Sequence, residues 1–274
     1  MPTQNQNISQ AARARMLSLP REPFLVADWL NVMMIHLEVD ADTLQAVTPF
    51  QLDLWQGRAF VTLVAFTLRG MHPRLGGRWS RWLFRPLATH RFLNVRTYVK
   101  QDGEAGIHFL AEWLDSRLAV ELGPQVFGLP YRLGRIEYQN EWQSGGLRGR
   151  VADAGTGAVL AYQAGAEPGA PALRECAPGS LDEWLMERYT AFNCMRGRRL
   201  FFRVWHEPWP QVPVLVRLAD RRLLTAHWPL FHDAPVAGAN YSPGVRAVWM
   251  GWPHRLGCGT FRLPTMACRP GAVR

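Results

Sequence analysis

Apolar runs of strand length dominate the chain after its first two dozen residues. Residues 28–39 and 57–68 are dense in Val, Ile, Leu, Phe and Trp. Runs of this length and composition predict β-strands. Further strands are predicted at residues 135–142, 147–153, 158–164, 199–206, 212–218 and 245–251. The pattern therefore indicates a mainly β protein of the α+β class, with a largely antiparallel sheet.

A β-hairpin gives the clearest local signal. Residues 93–99 and 107–113 are β-rich runs, and the Asp102-Gly103 pair between them is a strong turn dipeptide. Successive side chains of a strand point to opposite faces of the sheet. On the first strand Asn94, Arg96 and Tyr98 therefore share one face.

Arg96 is the first candidate for ligand binding in this hairpin. A loop of two or four residues places one side-chain set of the returning strand beside it, and that set comprises Ile107, Phe109, Ala111 and Trp113. A lone cation among these side chains needs a partner, because an isolated buried charge is very unfavourable. The partner is either the carboxylate of a ligand or an internal acid. The internal candidates are Glu112, Asp115 and Glu121.

Helical signals are few. Ser180 and Glu183 form a capping-box pattern, and residues 181–192 carry apolar positions at helical spacing, which predicts one helix there. Residues 1–20 are polar and lack apolar periodicity, so we expect a flexible N-terminal arm. Residues 21–274 are expected to form a single domain, because the part after residue 179 has too few strong elements for an independent core.

Composition and termini indicate a folded protein without membrane spans. The chain has 274 residues, of which 48% are hydrophobic, enough for a sizeable core. The longest apolar stretches are far shorter than the roughly 20 residues that cross a bilayer. The N-terminus is polar and has no apolar segment of the kind found in signal peptides. We therefore expect a cytoplasmic location.

The charge is strongly positive and carried almost entirely by arginine. The formal net charge is +9, and Lys100 is the only lysine in the sequence. Guanidinium groups bind carboxylates and phosphates through a planar two-point fork. The arginines are spread along the whole chain, which does not favour a nucleic-acid partner.

One segment interleaves arginine with tryptophan. Its members are Arg74, Arg78, Trp79, Arg81, Trp82 and Arg85. Such a segment can rest on an anionic membrane or stack on bases. The more common arrangement is a loop whose tryptophans pack onto the protein while the arginines stay in water. We expect that arrangement, and so neither a membrane surface nor nucleic acid is expected as a partner.

The cysteines and histidines do not form a metal-binding pattern. Cys176, Cys194, Cys258 and Cys268 contain no C-x-x-C pair, and the eight histidines are scattered. We interpret the cysteines as thiols and expect neither a metal nor another cofactor.

The segments together resemble a known family. Residues 94–99 (Asn-Val-Arg-Thr-Tyr-Val), 127–131 (Phe-Gly-Leu-Pro-Tyr), 187–190 (Glu-Arg-Tyr-Thr) and 206–210 (His-Glu-Pro-Trp-Pro) occur in the order seen in the YqjF-like family of uncharacterised bacterial proteins. That family lies within the acetoacetate decarboxylase-like superfamily. The resemblance covers roughly residues 28–224. It implies an acetoacetate decarboxylase-like antiparallel β-barrel or sheet with a few short helices and an internal ligand pocket.

The resemblance also implies that the Schiff-base chemistry of the decarboxylases is absent. Those relatives carry two adjacent lysines where this chain has Tyr131 and Arg132, and the first lysine forms the imine. A phenol cannot form an imine, and arginine stays protonated. Phe92 stands where the relatives have a glutamate, and Lys100 is expected to be solvated at the hairpin turn.

Two further residue pairs are candidates for chemistry. Tyr131 and Arg132 combine a phenol with a guanidinium, which suits a carboxylate or an enolate oxygen; alternatively Tyr131 closes a turn and Arg132 points to solvent. His206 and Glu207 could exchange protons near neutral pH. Because neighbours on a strand face opposite ways, the favoured reading of this second pair is a structural corner.

The sequence thus leads to one main functional hypothesis. It is a binding protein that holds a small organic acid or another apolar anion in an aromatic-lined pocket. The ligand-binding candidates are Phe92, Arg96, Tyr98, Phe109, Tyr131 and Arg132. The alternative is an enzyme that works without a Schiff base, a hydratase, isomerase or lyase acting on a keto or enol acid. Its catalytic candidates are Tyr131, His206 and Glu207.

Overall fold

The computed structural model describes residues 2–140, 142, 146–166, 172–195 and 197–256. Within these ranges it contains thirteen strands, six α-helices and two short 3₁₀ helices, Arg85–Leu87 and Pro229–Phe231. The strands are β1 (Leu25–Val39), β2 (Gln51–Leu52), β3 (Ala59–Pro73), β4 (His90–Gln101), β5 (Glu104–Leu114), β6 (Tyr131–Gln139), β7 (Leu147–Asp153), β8 (Val159–Ala166), β9 (Thr190–Met195), β10 (Arg198–Trp205), β11 (Val212–Asp220), β12 (Val236–Met250) and β13 (His254–Arg255). The helices are α1 (Gln4–Leu17), α2 (Ala41–Val47), α3 (Gly77–Phe84), α4 (Arg117–Phe127), α5 (Leu181–Met186) and α6 (Arg222–Thr225).

The strands form one branched sheet and not a single clean barrel. Strands β12, β1, β3, β4 and β5 lie side by side and are antiparallel. From β5, one branch returns to β12 through β9 and β10, and the other returns through β6, β7, β8 and β11. Among the strand pairings of the described residues, those of β5 with β6 and with β9 are the parallel ones. The predicted sheet-dominated α+β class is confirmed.

The five central strands separate two apolar cores. Val95, Ala111 and Trp113 point into the core bounded by β6, β7, β8 and β11. Phe92, Tyr98 and Phe109 point into the other core, which α4, α5, β9 and β10 cover. The central sheet therefore has no face toward solvent over most of its area, which explains the long apolar runs in its strands.

The predicted helix at residues 181–192 is only half correct. Helix α5 begins after Ser180, whose hydroxyl accepts from the Glu183 amide, as the capping pattern predicts. The helix ends at Met186, because residues from Thr190 onward pair as β9 with β10 and β5. Sheet pairing here overrides the helical spacing.

The N-terminal segment is a packed helix, contrary to the expected flexible arm. Thr3 caps α1, and the buried side of the helix consists of Asn5, Ser9, Ala12 and Met16. The Ser9 hydroxyl donates to the carbonyl oxygen of His206 at 2.7 Å. This buried side is mostly small and polar, so it carries no hydrophobic periodicity for sequence analysis to detect.

The segment rich in arginine and tryptophan also differs from the expectation. It forms α3, and the side chains of Trp79 and Trp82 point away from the protein, 82% and 68% exposed. The arginines are exposed as expected. Among the described residues, no helix combines the length and the apolar character needed to cross a membrane. Of the four cysteines, Cys258 and Cys268 lie outside the described residues.

Candidate functional site

A buried arginine lies at the centre of the core that α5 covers. Arg96, in the middle of β4, is 6% exposed and sits opposite Thr62 on β3 and Phe109 on β5. One terminal nitrogen, Nη2, donates to the carbonyl oxygen of Leu185 in α5 at 3.2 Å, while Nε has no hydrogen-bond partner among the described residues. None of the ion pairs in the described part of the chain includes Arg96. The guanidinium is thus buried in largely apolar surroundings without a carboxylate.

A β-bulge decides which side chains join Arg96. The turn has two residues, Asp102 and Gly103, both with positive φ, which is the shorter of the two loop lengths considered from the sequence. Between the pairs Val95–Ala111 and Arg96–Phe109, however, β5 carries the additional residue Leu110. The bulge shifts the alternation by one position. Of the side chains predicted to lie beside Arg96, Ile107 and Phe109 are on its face of the sheet, and the prediction is wrong for Ala111 and Trp113.

The bulge turns Ala111 and Trp113 toward the opposite core and brings Glu112 onto the face of Arg96. Glu112 is 3% exposed and pairs across the strands with Asn94. Burial raises the pKa of Glu112 well above its usual value, which favours the neutral acid. The atoms Oε2 of Glu112 and Oδ1 of Asn94 have no hydrogen-bond partner among the described residues.

We define the inner site as Asn94, Arg96, Tyr98 and Glu112 with the adjacent Phe92 and Tyr131. Phe92 stacks on Phe66 at 5.1 Å between ring centroids and meets Tyr131 edge-on at 6.0 Å. Burial, together with the nearby Glu112, raises the pKa of Tyr131 well above its usual value. Burial thus favours the protonated form of both Tyr131 and Glu112, and the rings of Phe92 and Phe66 lie next to Tyr131.

A chain of hydrogen bonds fixes the other end of the inner site. The Tyr98 hydroxyl donates to the Leu185 carbonyl at 2.9 Å and lies 2.5 Å from Oγ1 of Thr62. Thr62 is 2.8 Å from Nδ1 of His36, whose Nε2 is 2.9 Å from Oδ1 of Asn240. Burial lowers the pKa of His36 to about 4, so the ring is neutral near pH 7. This series of hydrogen bonds therefore contains no negative charge that could neutralise Arg96.

A second buried arginine was not singled out by the sequence analysis, and it has a partner. Nη1 of Arg188 lies 2.8 Å from Oδ2 of Asp53. Its guanidinium also packs over the rings of Trp184 and Tyr98, at 4.3 and 5.2 Å. Asp53 is 135 residues away in sequence, so no local pattern could reveal this ion pair. Arg188 is therefore a buried cation whose charge is already paired within the protein, in contrast to Arg96.

The predicted pair of Tyr131 and Arg132 is not formed. As neighbours on β6 they point to opposite faces of the sheet. Tyr131 joins the inner site, whereas Arg132 packs over the ring of Trp113 in the other core at 5.8 Å. Tyr131 fits closely against α4, because a Cβ added at Gly123 would lie 2.2 Å from its ring.

The predicted couple of His206 and Glu207 is not formed either. His206 is buried, with Nδ1 2.8 Å from the Glu207 carbonyl oxygen, while the Glu207 side chain is exposed. Burial lowers the pKa of His206 to about 4. Its ring instead lies between Tyr189 and Trp209, at 4.7 and 4.9 Å. These positions form a structural corner.

Glu187 is another buried acid that the sequence analysis did not single out. Oε2 accepts from the Tyr189 hydroxyl at 2.5 Å, and Oε1 accepts from the Trp209 amide at 3.0 Å. Burial raises the pKa of Glu187 to about 7. Both oxygens are occupied by the protein, which indicates a structural role for this carboxyl group.

Comparisons with known proteins agree with this architecture. Residues 26–246 match the model of a family, DUF2071, described as "Uncharacterized conserved protein (COG2071)". The uncharacterized protein YqjF of Bacillus subtilis (strain 168) is 30% identical over 186 residues, which cover 66% of this chain and 72% of YqjF. The resemblance inferred from the motifs is confirmed.

Solved structures with similar folds are acetoacetate decarboxylase-like proteins. The acetoacetate decarboxylase of Legionella pneumophila subsp. pneumophila str. Philadelphia 1 aligns with a TM-score of 0.60 at 13% identity, covering 88% of this chain and 94% of the decarboxylase. The enduracididine biosynthesis enzyme MppR, in a structure described as complexed with pyruvate, aligns with a TM-score of 0.59 at 13% identity, covering 86% and 91%. At this identity the likeness shows the fold alone.

Proposed function

The chain belongs to the DUF2071 family of uncharacterized conserved proteins, and from that premise we propose that it binds a small organic acid through Arg96 at the inner site. The observation that carries the proposal is the buried Arg96 without a carboxylate partner. A ligand carboxylate would accept from Nε and a terminal nitrogen in the two-point geometry that guanidinium groups favour. The ligand would then supply the charge that the protein does not.

The other members of the inner site suit an acid that carries a second polar group. Glu112, held as the neutral acid, can donate a hydrogen bond to a keto or hydroxyl oxygen. Oδ1 of Asn94 can accept from a hydroxyl. Phe92 and Phe66 provide an apolar surface for the carbon chain. MppR, a protein of the same fold, is described as complexed with pyruvate, which is a small keto acid.

The proposal excludes an imine with the ligand. Lys100 is the only lysine in the sequence, and it is exposed at the end of β4. Tyr131 occupies the place of the decarboxylase lysine in the motif match, and it cannot form an imine. Borohydride reduction in the presence of keto acids should therefore leave the protein unlabelled.

Thermal denaturation with paired ligands tests the proposal. Keto and hydroxy acids are compared with their own primary amides, in a buffer free of carboxylates. At 100 times its dissociation constant, a bound acid stabilises the fold by about 2.7 kcal/mol. The amide should give no shift, because it lacks the charge that pairs with Arg96.

Variants separate specific from general effects. Arg96→Gln should lose the shift, whereas Arg135→Gln, at an exposed position on β6, should keep it. Equal shifts from acid and amide, or a shift that survives in Arg96→Gln, would contradict the proposal.

A second candidate function is favoured by the neutral Glu112 beside the neutral Tyr131. Two proton donors near a bound keto or enol acid would suit a hydratase, isomerase or lyase that acts without an imine. The test is exchange of the α-hydrogens of a bound keto acid in D₂O, followed by NMR. Exchange that Tyr131→Phe eliminates, with the ligand-induced thermal shift retained, would establish this enzymatic reading over simple binding.

A further inference from the structure

The outer side of α3 is apolar and faces away from the protein. Trp79, Trp82 and Leu83 are spaced i, i+3 and i+4, so they share one side of the helix. Their exposed fractions are 82%, 68% and 68%, and Leu75 just before the helix is 73% exposed. Large apolar side chains that cluster at the surface mark an interaction site more often than single exposed residues do.

The flank of α3 and its surroundings are basic. Residues 69–91 contain six arginines and no acidic residue. Arg78, Arg81 and Arg85 are exposed and take part in none of the ion pairs found in the described ranges. Arg74, by contrast, is anchored by a hydrogen bond from Nη1 to the Glu22 carbonyl at 3.0 Å.

A groove of about 490 Å³ runs along this basic flank. Its cationic lining comprises Arg69, Arg81 and Arg85, and His72 lies beside them. Asp28 is the acid of the lining and lies 3.4 Å from Arg69, and none of the ion pairs among the described residues joins it to Arg81 or Arg85. The groove therefore offers guanidinium groups to an anion next to an exposed apolar ridge.

We propose that α3 docks the protein on an anionic membrane surface. Trp79, Trp82, Leu83 and Leu75 would enter the boundary between headgroups and acyl chains, where tryptophan is favoured. Arg78, Arg81 and Arg85 would contact lipid phosphates, with one headgroup in the groove. The expectation that a membrane surface is no partner depended on tryptophans packed against the protein, and the structure contradicts that packing.

The arrangement favours lipid over nucleic acid. A phosphodiester backbone calls for a surface of exposed cations, whereas here two indoles and two leucines are exposed among the arginines. Indoles can stack on bases, but leucine side chains cannot. The helix has only eight residues, so the docking is expected to be weak and reversible.

Flotation of the full chain with vesicles tests the proposal. Vesicles of phosphatidylcholine alone are compared with vesicles that also contain phosphatidylglycerol. We expect binding to the anionic vesicles that falls as salt rises. Each arginine near an anionic surface strengthens binding about fivefold, so Arg78→Gln/Arg81→Gln/Arg85→Gln should weaken it on the order of 100-fold.

Matched controls distinguish the patch from net charge and from general hydrophobicity. Arg135→Gln/Arg148→Gln/Arg217→Gln removes three exposed charges elsewhere and should bind far better than the α3 charge variant. Trp79→Ser/Trp82→Ser should lose binding, whereas Leu215→Ser, at a site 59% exposed on β11, should keep it.

Three results would overturn the proposal. The first is that the wild-type chain floats with neither vesicle. The second is that both triple-arginine variants weaken binding equally. The third is that sedimentation shows a dimer that Trp79→Ser/Trp82→Ser converts to a monomer, which would identify a second copy of the chain as the occupant of the patch.

Discussion

Replacing Arg96 by methionine should stabilise the protein in the absence of ligand. Arg96→Met keeps a long side chain but removes a buried charge that has no carboxylate partner. The Leu185 carbonyl loses the Arg96 donor but keeps one hydrogen bond, because the Tyr98 hydroxyl also donates to it at 2.9 Å. The substitution therefore exposes no new unsatisfied acceptor.

The magnitude follows from what buried ionic groups cost. Replacing a buried ion pair with well-packed apolar residues is often neutral or stabilises a protein by about 1–4 kcal/mol, and Arg96 has no carboxylate partner to offset the cost of its burial. For a chain of this size each kcal/mol corresponds to roughly 2–4 °C in Tm. We therefore expect the unfolding midpoint of Arg96→Met to rise by at least ~2 °C, while the shift induced by organic acids disappears.

Arg188→Met is the matched control and should change stability in the opposite direction. Arg188 is also buried, but it pairs with Asp53 and packs over Trp184. Removing one partner of a buried ion pair leaves the other uncompensated and costs about 3–5 kcal/mol. Urea and thermal unfolding of both variants without ligand provide the measurement. If both variants are destabilised to a similar degree, Arg96 is an ordinary structural residue and the reasoning is wrong.

Three further predictions concern packing and ionisation. Gly123→Ala should destabilise the fold by about 1–3 kcal/mol, because the added Cβ would lie 2.2 Å from the Tyr131 ring, and a thermal melt should show Tyr131→Leu relieving part of the loss. Burial raises the pKa of Glu187 from 4.5 to about 7. Between these two pH values the folded chain keeps a proton that the unfolded chain releases, so the free energy of unfolding of the wild type falls as the pH rises from 4.5 to about 7. Urea unfolding should show Glu187→Gln gaining about 1.4 kcal/mol per pH unit relative to the wild type between these values and no more above them; a pH-independent difference would show that Glu187 titrates normally. Met16→Ala should cost about 2–5 kcal/mol, since Met16 is fully buried on the inner side of α1, and an unchanged Tm would mean that the helix does not dock.

Local sequence signals predicted the hairpin and the interior position of Arg96. The Asp102-Gly103 pair fixes a two-residue turn, and strict alternation from that turn places Phe109 beside Arg96. The same alternation failed two residues later, because an extra residue at Leu110 depends on pairing across the sheet and leaves no mark in the composition. Glu112 was consequently considered only as a salt-bridge partner, although the structure places it in the inner site, where burial raises its pKa well above the usual value.

Long-range contacts account for the other differences. The ion pair between Arg188 and Asp53 joins parts of the chain that no periodicity connects. Helix α1 is held by hydrogen bonds such as that from Ser9 to the His206 carbonyl, together with a small apolar contact in which Met16 is buried. Trp79 and Trp82 were expected to pack onto the protein as part of a loop, whereas they lie on the exposed side of α3.

The five central strands, which separate the two apolar cores, limit how this fold can acquire a preference for a new ligand. A substitution at a buried position of β1, β3, β4, β5 or β12 changes side-chain volume inside one core or the other, where there is no bulk water to accommodate a misfit. Substitutions are accommodated more easily in α4 and α5, the helices that cover the inner site, because their outer sides are in contact with solvent. Among proteins with this fold, differences in the ligand that is bound should therefore follow the sequences of α4 and α5 more closely than those of the five central strands.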